Sequence, residues 1–313
     1  MTHAGKGVAA MVIACTIWGL SPIYYRALAH VPPFEVLAHR VIWSAVTFGV
    51  VLWGQGRLRL PFALLRGTGI VWVLAASVLI SVNWFSYIWS VQAGHVTEAS
   101  LGYFLFPLVS VFFGRVIFAE RLGQAQSFAV ALSFAAVCVL SWGLSAPPWV
   151  ALAIACSFAG YGVFKKKVAA GPIVSVTAEV IVILPLAILW LVMAHMGAGV
   201  GPDPRPGGLF GHDLGTSLGL MLTGVLTAGP LILFSQASQR VTMATLGFVQ
   251  YINPVLQFFC ATVLFAEPFG PWHMVSFAMI WGALVIYSIA AFRQEREVRK
   301  SRSNVGTSGT TVV

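Results

Sequence analysis

The stretch EVLAHRVIWSAVTFGVVLWG, Glu35 to Gly54, opens on three titratable side chains and continues as an almost unbroken apolar run. Twenty residues wound as an α-helix span about 30 Å, the thickness of a bilayer's hydrocarbon core. The run shows no strand-like alternation of polar and apolar residues. It reads as a membrane-crossing helix with Glu35, His39 and Arg40 at its mouth.

The rest of the chain has the same character. Of 313 residues, 58% are hydrophobic and only 9% charged, whereas a soluble domain carries about 25% charged residues. Mean hydropathy is +0.88. Such a chain cannot cover a water-facing surface, which places it among integral membrane proteins. The net charge of +9 sits in clusters between apolar runs, the pattern of a cytoplasmic membrane face rather than of a nucleic-acid binder. Cys15, Cys138, Cys156 and Cys260 all fall inside apolar runs; their spacing fits neither a metal site nor a disulfide framework. The first run, GVAAMVIACTIWGLSPIYYRALA, is span-length and lacks a small-residue cleavage site, so it reads as a first membrane helix rather than a leader.

About ten runs are long enough to cross: 7–29, 34–53, 68–90, 96–118, 124–144, 148–168, 172–194, 216–238, 242–266 and 271–292. Backbone groups in lipid must be bonded within their own segment, so the expected fold is all-α. With the N-terminus in the cytoplasm, all of the 18 basic residues except Arg26, Arg40 and Arg205 fall on the inner side. Both termini are therefore expected to be cytoplasmic. The loop GAGVGPDPRPGGLFGHD, 197–213, reads as an external connector, and 293–313 as a disordered cytoplasmic tail.

The chain also repeats itself. IACTIWGL, Ile13 to Leu20, is answered by IACSFAGY, Ile154 to Tyr161; ASLGYF, Ala99 to Phe104, by ATLGFV, Ala244 to Val249; and FAERLG, Phe118 to Gly123, by FAEPFG, Phe265 to Gly270. Three matches in order define two five-helix halves, 7–145 and 148–292. An odd number of spans per half makes the second copy enter from the opposite side, the inverted repeat on which alternating access is built.

EVLAHRVIWS, SVNWFSYIWSVQAGHVTEASLGYF, SFAGYGVFKKK, TAGPLILFSQASQR and LGFVQYINP resemble the recurring segments of RarD-type permeases, in the EamA group of the drug/metabolite transporter superfamily. The resemblance runs over nearly all of residues 5–292. It implies a ten-helix inner-membrane permease, two five-helix repeats around a central cavity, and movement of amino acids or other small metabolites, often outward. One departure is that the first half reads LFP at 105–107 where the second reads INP at 252–254. Phe106 therefore stands opposite Asn253, and only one amide of that pair is present.

Ionisable groups at membrane depth cost about 2.5 to 3.5 kcal/mol each, so each one requires a reason. Glu35 and His39 share a helix face and are expected to shape the outer mouth or a gate, with His39 also a candidate substrate contact. Arg40 points roughly 100° further round and lies roughly 7.5 Å deeper than Glu35. It is expected to face the cavity, binding an anionic substrate group or pairing with a carboxylate. Glu98, at the outer end of the fourth span, is the candidate partner for Arg40 or His39. Glu179 reads as a carboxylate isolated inside its span, either a proton carrier or a structural acid. Asn83, Gln250 and Asn253 should face the interior, with Pro254 interrupting the helix beside Asn253. Trp18, Trp84, Tyr103, Tyr161 and Tyr251 are expected either to line the cavity or to pack. Glu120, Arg121 and Glu267 sit at span ends as anchors or gate closures. Lys165 to Lys167 read as a topology signal and lipid contact.

These features favour a secondary transporter of a small polar or amphipathic metabolite, amino-acid-like and exported. No Walker-type loop points to ATP, and no cofactor or metal is expected. The aspartates, Asp203 and Asp213, both lie in the external loop, and no nucleophile and base share a depth, which argues against an enzyme. A channel or a lipid-flipping protein is the competing reading. Expected partners are a small-molecule substrate and membrane lipid, with a homodimer left open as the assembly.

Overall fold

The computed structural model describes residues 3–67, 69–119, 122–145, 147–197, 205, 207–241 and 243–307. Glu120, Arg121, Asp203 and residues 308–313 lie outside them. Among the described residues all regular structure is helical: α1 His3–Ala27, α2 Pro33–Gly54, a short α3 Leu60–Leu64, α4 Ile70–Ala93, α5 Val96–Ile117, α6 Gln124–Leu144, α7 Trp149–Lys165, α8 Pro172–His195, α9 Leu214–Ser238, α10 Met243–Gln250, α11 Ile252–Phe259 and α12 Pro271–Thr307. A π-helical turn, Cys260–Leu264, extends α11. Nine segments among the described residues are long and apolar enough to cross a membrane, and α7 is a tenth, shorter apolar helix. At 17 residues α7 is about 26 Å long. It packs between α4 and α5, so protein rather than lipid meets much of its length.

Local chemistry sets the helix ends. Pro33 and Pro172 open α2 and α8, where a missing N–H costs nothing because first-turn amides have no partner within the helix. Asp213 caps α9 by accepting the Thr216 amide at 2.6 Å, which holds its carboxyl below the usual carboxylate value. Gly94, at φ 79°, ends α4 in the left-handed region, and the His95 amide donates to the Ser90 carbonyl at 2.7 Å.

The ninth span is interrupted as its proline predicts, one turn before the proline itself. Pro254 has no N–H for the Gln250 carbonyl and its ring crowds that carbonyl. The helix therefore breaks at Tyr251, whose amide donates to Phe248 at 3.2 Å. Beyond the last span α12 continues to Thr307. The residues after the span, QEREVRK, are mostly strong helix formers continuing a helix already nucleated in the bundle.

Successive long helices reverse direction, giving the bundle a terminal end, near Lys6 and Arg240, and a far end, near Ala27, Pro33 and Val96. Contacts between the halves come in reciprocal pairs. α1 packs on α9 as α4 packs on α7; α1 packs on α10 and α11 as α5 packs on α7; α2 meets α8, and α6 meets α12. Small residues permit such approaches: a Cβ on Gly102 of α5 would lie 2.8 Å from the Ala151 carbonyl oxygen of α7, and one on Gly224 of α9 would lie 2.3 Å from the Trp43 carbonyl carbon and oxygen on α2.

Candidate functional site

The site is built on the first two turns of α2. Glu35 is fully buried and is not free for substrate: it accepts the amides of Gly208, Leu209 and Phe210 at 2.9, 2.8 and 3.3 Å. Gly208, at φ 81°, turns the loop so that three successive N–H groups converge on one carboxylate. That anchor draws the loop over the far end of the bundle. The Phe210 ring stacks on His39 with centroids 4.7 Å apart, and neither ring nitrogen of His39 has a hydrogen-bond partner.

Arg40 turns away from that loop into the bundle and is 8% exposed. Its guanidinium lies over Trp84 of α4, 4.2 Å from the ring centroid, and 5.9 Å from the ring of Tyr25 on α1. Among the described residues the ion pairs are His95–Glu98 and Lys165–Glu179, so no carboxylate neutralises Arg40, and its Nε is buried without a partner. The expectation that Glu98 pairs with Arg40 or His39 is corrected: Glu98 turns back on its own first helical turn to meet His95 at 3.3 Å.

From Arg40 an aromatic row runs toward the terminal end. Tyr25 meets Tyr87 edge-on, Tyr87 meets Tyr103, Tyr103 meets Phe158, and Phe158 stacks on Tyr161 at 6.0 Å. Several polar atoms along it are matched. The Tyr103 hydroxyl donates to Asn83 Oδ1 at 3.2 Å, Asn83 Nδ2 donates to the Ile154 carbonyl at 3.1 Å, and the Tyr87 and Ser21 hydroxyls lie 2.7 Å apart. Phe106, which stands opposite Asn253 of the second half, closes on Phe158 at 4.6 Å.

At the end of the row stands Glu179, and here the sequence reading is corrected again. Glu179 is fully buried but not isolated. Lys165 Nζ lies 2.6 Å from Oε1, the Ser175 hydroxyl donates to Oε1 at 2.9 Å, and the Tyr161 hydroxyl donates to Oε2 at 3.1 Å. Lys165 was assigned to the cytoplasmic surface with its neighbours. Instead it folds inward, while Lys166 lies over Phe118 and Lys167 over Trp72. A lysine at a span end can fold back along α7 toward a carboxylate in the second turn of α8, a closure that spacing alone does not reveal.

Arg40, Trp84, Asn83, Tyr103 and Tyr161 are thus brought into one continuous row with Glu179. Gln250 and Asn253 are not joined to it by any hydrogen bond, ion pair or ring contact among the described residues. Asn253 Oδ1 accepts from Gln257 at 2.9 Å, and its backbone carbonyl faces Gly19 of α1. Trp18 meets Phe234, and Tyr251 packs in an apolar cluster with Leu101 and Phe277.

Glu267, read from the sequence as an anchor or gate closure, has a partner that the sequence reading does not name. Both oxygens of Glu267 hold the opening of α5, accepting the Val96 amide at 2.8 Å, the Thr97 amide at 2.7 Å and the Thr97 hydroxyl at 2.8 Å. The signal was present in the repeated FAE. Ala119 and Ala266, its middle residue in each half, both take left-handed backbone, at φ 52° and 50°.

The pattern of the EamA-like transporter family matches residues 5–142. The chain is 42% identical to Protein RarD of Streptomyces exfoliatus over 307 residues, covering 95% of this chain and 91% of that protein. It is 36% identical to the uncharacterized transporter YojE of Bacillus subtilis, at 97% and 100% coverage, and 35% identical to Protein RarD of Escherichia coli K12, at 94% and 98%. One crystal structure, 20% identical, superposes with a TM-score of 0.56 over 92% of this chain and 97% of its own, a likeness of fold. The chain is a multi-pass membrane protein and belongs to the EamA-like transporter family, in its RarD-type branch.

Proposed function

We propose that this transporter is a secondary carrier that moves a small polar or amphipathic metabolite across the bacterial inner membrane by alternating access, with Arg40 as the principal substrate contact. The observation that carries the reading is the buried, unpaired guanidinium of Arg40, laid on Trp84 inside a bundle. An uncompensated charge at membrane depth is costly to keep, and a passing solute is the partner that accounts for it.

Alternating access is supported by the reciprocal packing of the halves and by paired details: Arg26 lies over Phe265 at the far end as Lys166 lies over Phe118 at the terminal end. Two oppositely threaded copies of one scaffold can exchange conformations and so exchange the open side. The far end is tied shut by Glu267 on α5, Glu35 on the 208–210 loop, and Gln92 on the Leu28 carbonyl. A cavity of about 590 Å³ lies at the terminal end between Leu52, Arg57, Ile173 and Gln239. With the basic loops cytoplasmic, that cavity and both termini face the inside of the cell. The charged groups of the row are engaged in pairing or stacking rather than set out as a nucleophile and base, which fits a carrier and not an enzyme. Export is the direction the family resemblance implies, and a homodimer is compatible with the exposed outer faces of α6 and α12.

Single cysteines at Thr97 and Gln239, in a background with the native cysteines replaced, test the reading. A carrier labels at the two ends from opposite sides of the membrane, and added substrate shifts the two reactivities in opposite directions. A channel labels both together, which would refute alternating access.

A further inference from the structure

Resting on the carrier reading, we propose that the Arg40 station takes an organic anion with a carboxylate and an apolar or aromatic body, and discriminates against zwitterions and organic cations.

The argument is an accounting of charge. An α-amino acid needs an acceptor for its ammonium near the acceptor-seeking guanidinium. Among the described residues every acid that could serve is engaged: Glu35 by three loop amides, Glu179 by Lys165, Glu267 by the opening of α5, and Glu98 by His95. Around Arg40 stand instead an indole and tyrosine rings, with the Asn83 amide committed to Tyr103 and Ile154. A carboxylate fits the planar fork of a guanidinium through two parallel N–H···O bonds. The stacked Trp84 leaves the guanidinium edge to donate while its face is covered. The loaded station then has no net charge, whereas a zwitterion restores one and leaves an ammonium without an acceptor, a desolvation cost with no return. The aromatic row next to the station offers stacking surface for the ligand's body.

The test is a thermal-shift and affinity series on the purified full-length protein at fixed ionic strength. The probes share a phenylpropyl skeleton and differ in head group: 3-phenylpropanoate, phenylalanine, 3-phenylpropanamide, 3-phenylpropylamine and the corresponding phosphate monoester. The carboxylate is expected to stabilise the protein and bind at least about thirtyfold more tightly than the amide, the zwitterion or the amine. That preference should vanish in Arg40→Gln, the size of loss seen when one partner of a buried charge pair is removed. Should Arg40→Gln not fold, Arg40→Lys keeps the charge without the fork, and carboxylate affinity is expected to fall at least about tenfold. A stronger response to the phosphate ester assigns the station to phosphate instead and overturns the proposal. So does equal binding of phenylalanine, carboxylate binding that survives loss of Arg40, or no carboxylate response at all. The carrier reading fails separately: its readout is the opposed labelling of the two ends, and anion binding without that opposition would sink transport by alternating access while leaving the station's preference intact.

Discussion

Lys165 and Glu179 allow a quantitative test of how the terminal half of the row is held. Glu179 is fully buried, and the Lys165 side chain is 23% exposed. Lys165→Met leaves the carboxylate with only Ser175 and Tyr161 as donors. The expected loss is about 3 kcal/mol, the low end for breaking a buried pair, because two hydroxyls still solvate the anion. Glu179→Leu leaves an ammonium near the bundle surface that can swing to water, so its cost should be about 1 to 2 kcal/mol. Replacing both as Lys165→Met/Glu179→Leu removes the desolvation of two ions together with their attraction, and should fall within about 1 kcal/mol of the parent. The double-mutant cycle then gives a coupling energy of about 4 to 5 kcal/mol, the two single losses together less the small change in the double variant. Equilibrium unfolding in mixed micelles measures all four proteins under one condition. If Lys165→Met is as stable as the parent, or the double variant loses the sum of the two singles, the pair is not coupled as the geometry requires. The same set bears on proton coupling. If the carboxylate carries the proton of the cycle, Glu179→Gln abolishes uptake driven by a pH gradient in vesicles and leaves exchange intact. Retained gradient dependence removes Glu179 from that role.

Other perturbations reach the far end and the helix contacts. Glu267→Ala deletes three charge-assisted hydrogen bonds to α5; a loss of about 2 to 3 kcal/mol is expected, and a cysteine placed at Val96 should become more reactive from the far side, whereas an unchanged rate would deny the clamp. Glu35→Ala should release the 208–210 loop, accelerating hydrogen exchange at the amides of Gly208, Leu209 and Phe210 with little change in α5, and undiminished protection would count against the anchor. Gly224→Ala forces a methyl to 2.3 Å from the Trp43 carbonyl, and the overpacking should cost at least about 3 kcal/mol, read as loss of a monodisperse peak on gel filtration. Trp84→Leu removes the face on which Arg40 lies and should weaken anion binding by about 1 to 2 kcal/mol; no change in affinity would show that the stacking does not orient the guanidinium.

The sequence by itself determined the solvent, the number and limits of the spans, the repeated segments and the positions of costly charges. These are local properties: about twenty apolar residues must form a helix in lipid because no other conformation bonds its own backbone, and Pro254 interrupts a helix wherever it lies. That Arg40 lies deeper than Glu35 and about 100° further round followed from helix geometry alone. What only the tertiary structure decided was which charge meets which partner. Glu179 is neutralised by a lysine that reads as a surface signal, and Glu98 turns back to His95. Glu35 is consumed by amides from a loop more than half the chain away, and Glu267 holds the start of α5 from the other half. Such pairings depend on interhelical register and on where flexible side chains swing, neither of which hydropathy encodes. The α2 and α8 helices illustrate the division. Both open on a proline and place a charge two turns in, at Arg40 and Glu179, a symmetry legible in the letters. That Glu179 is ion-paired while Arg40, among the described residues, meets aromatic rings and no carboxylate follows from Lys165 lying within reach of the one and Trp84 and Tyr25 beside the other.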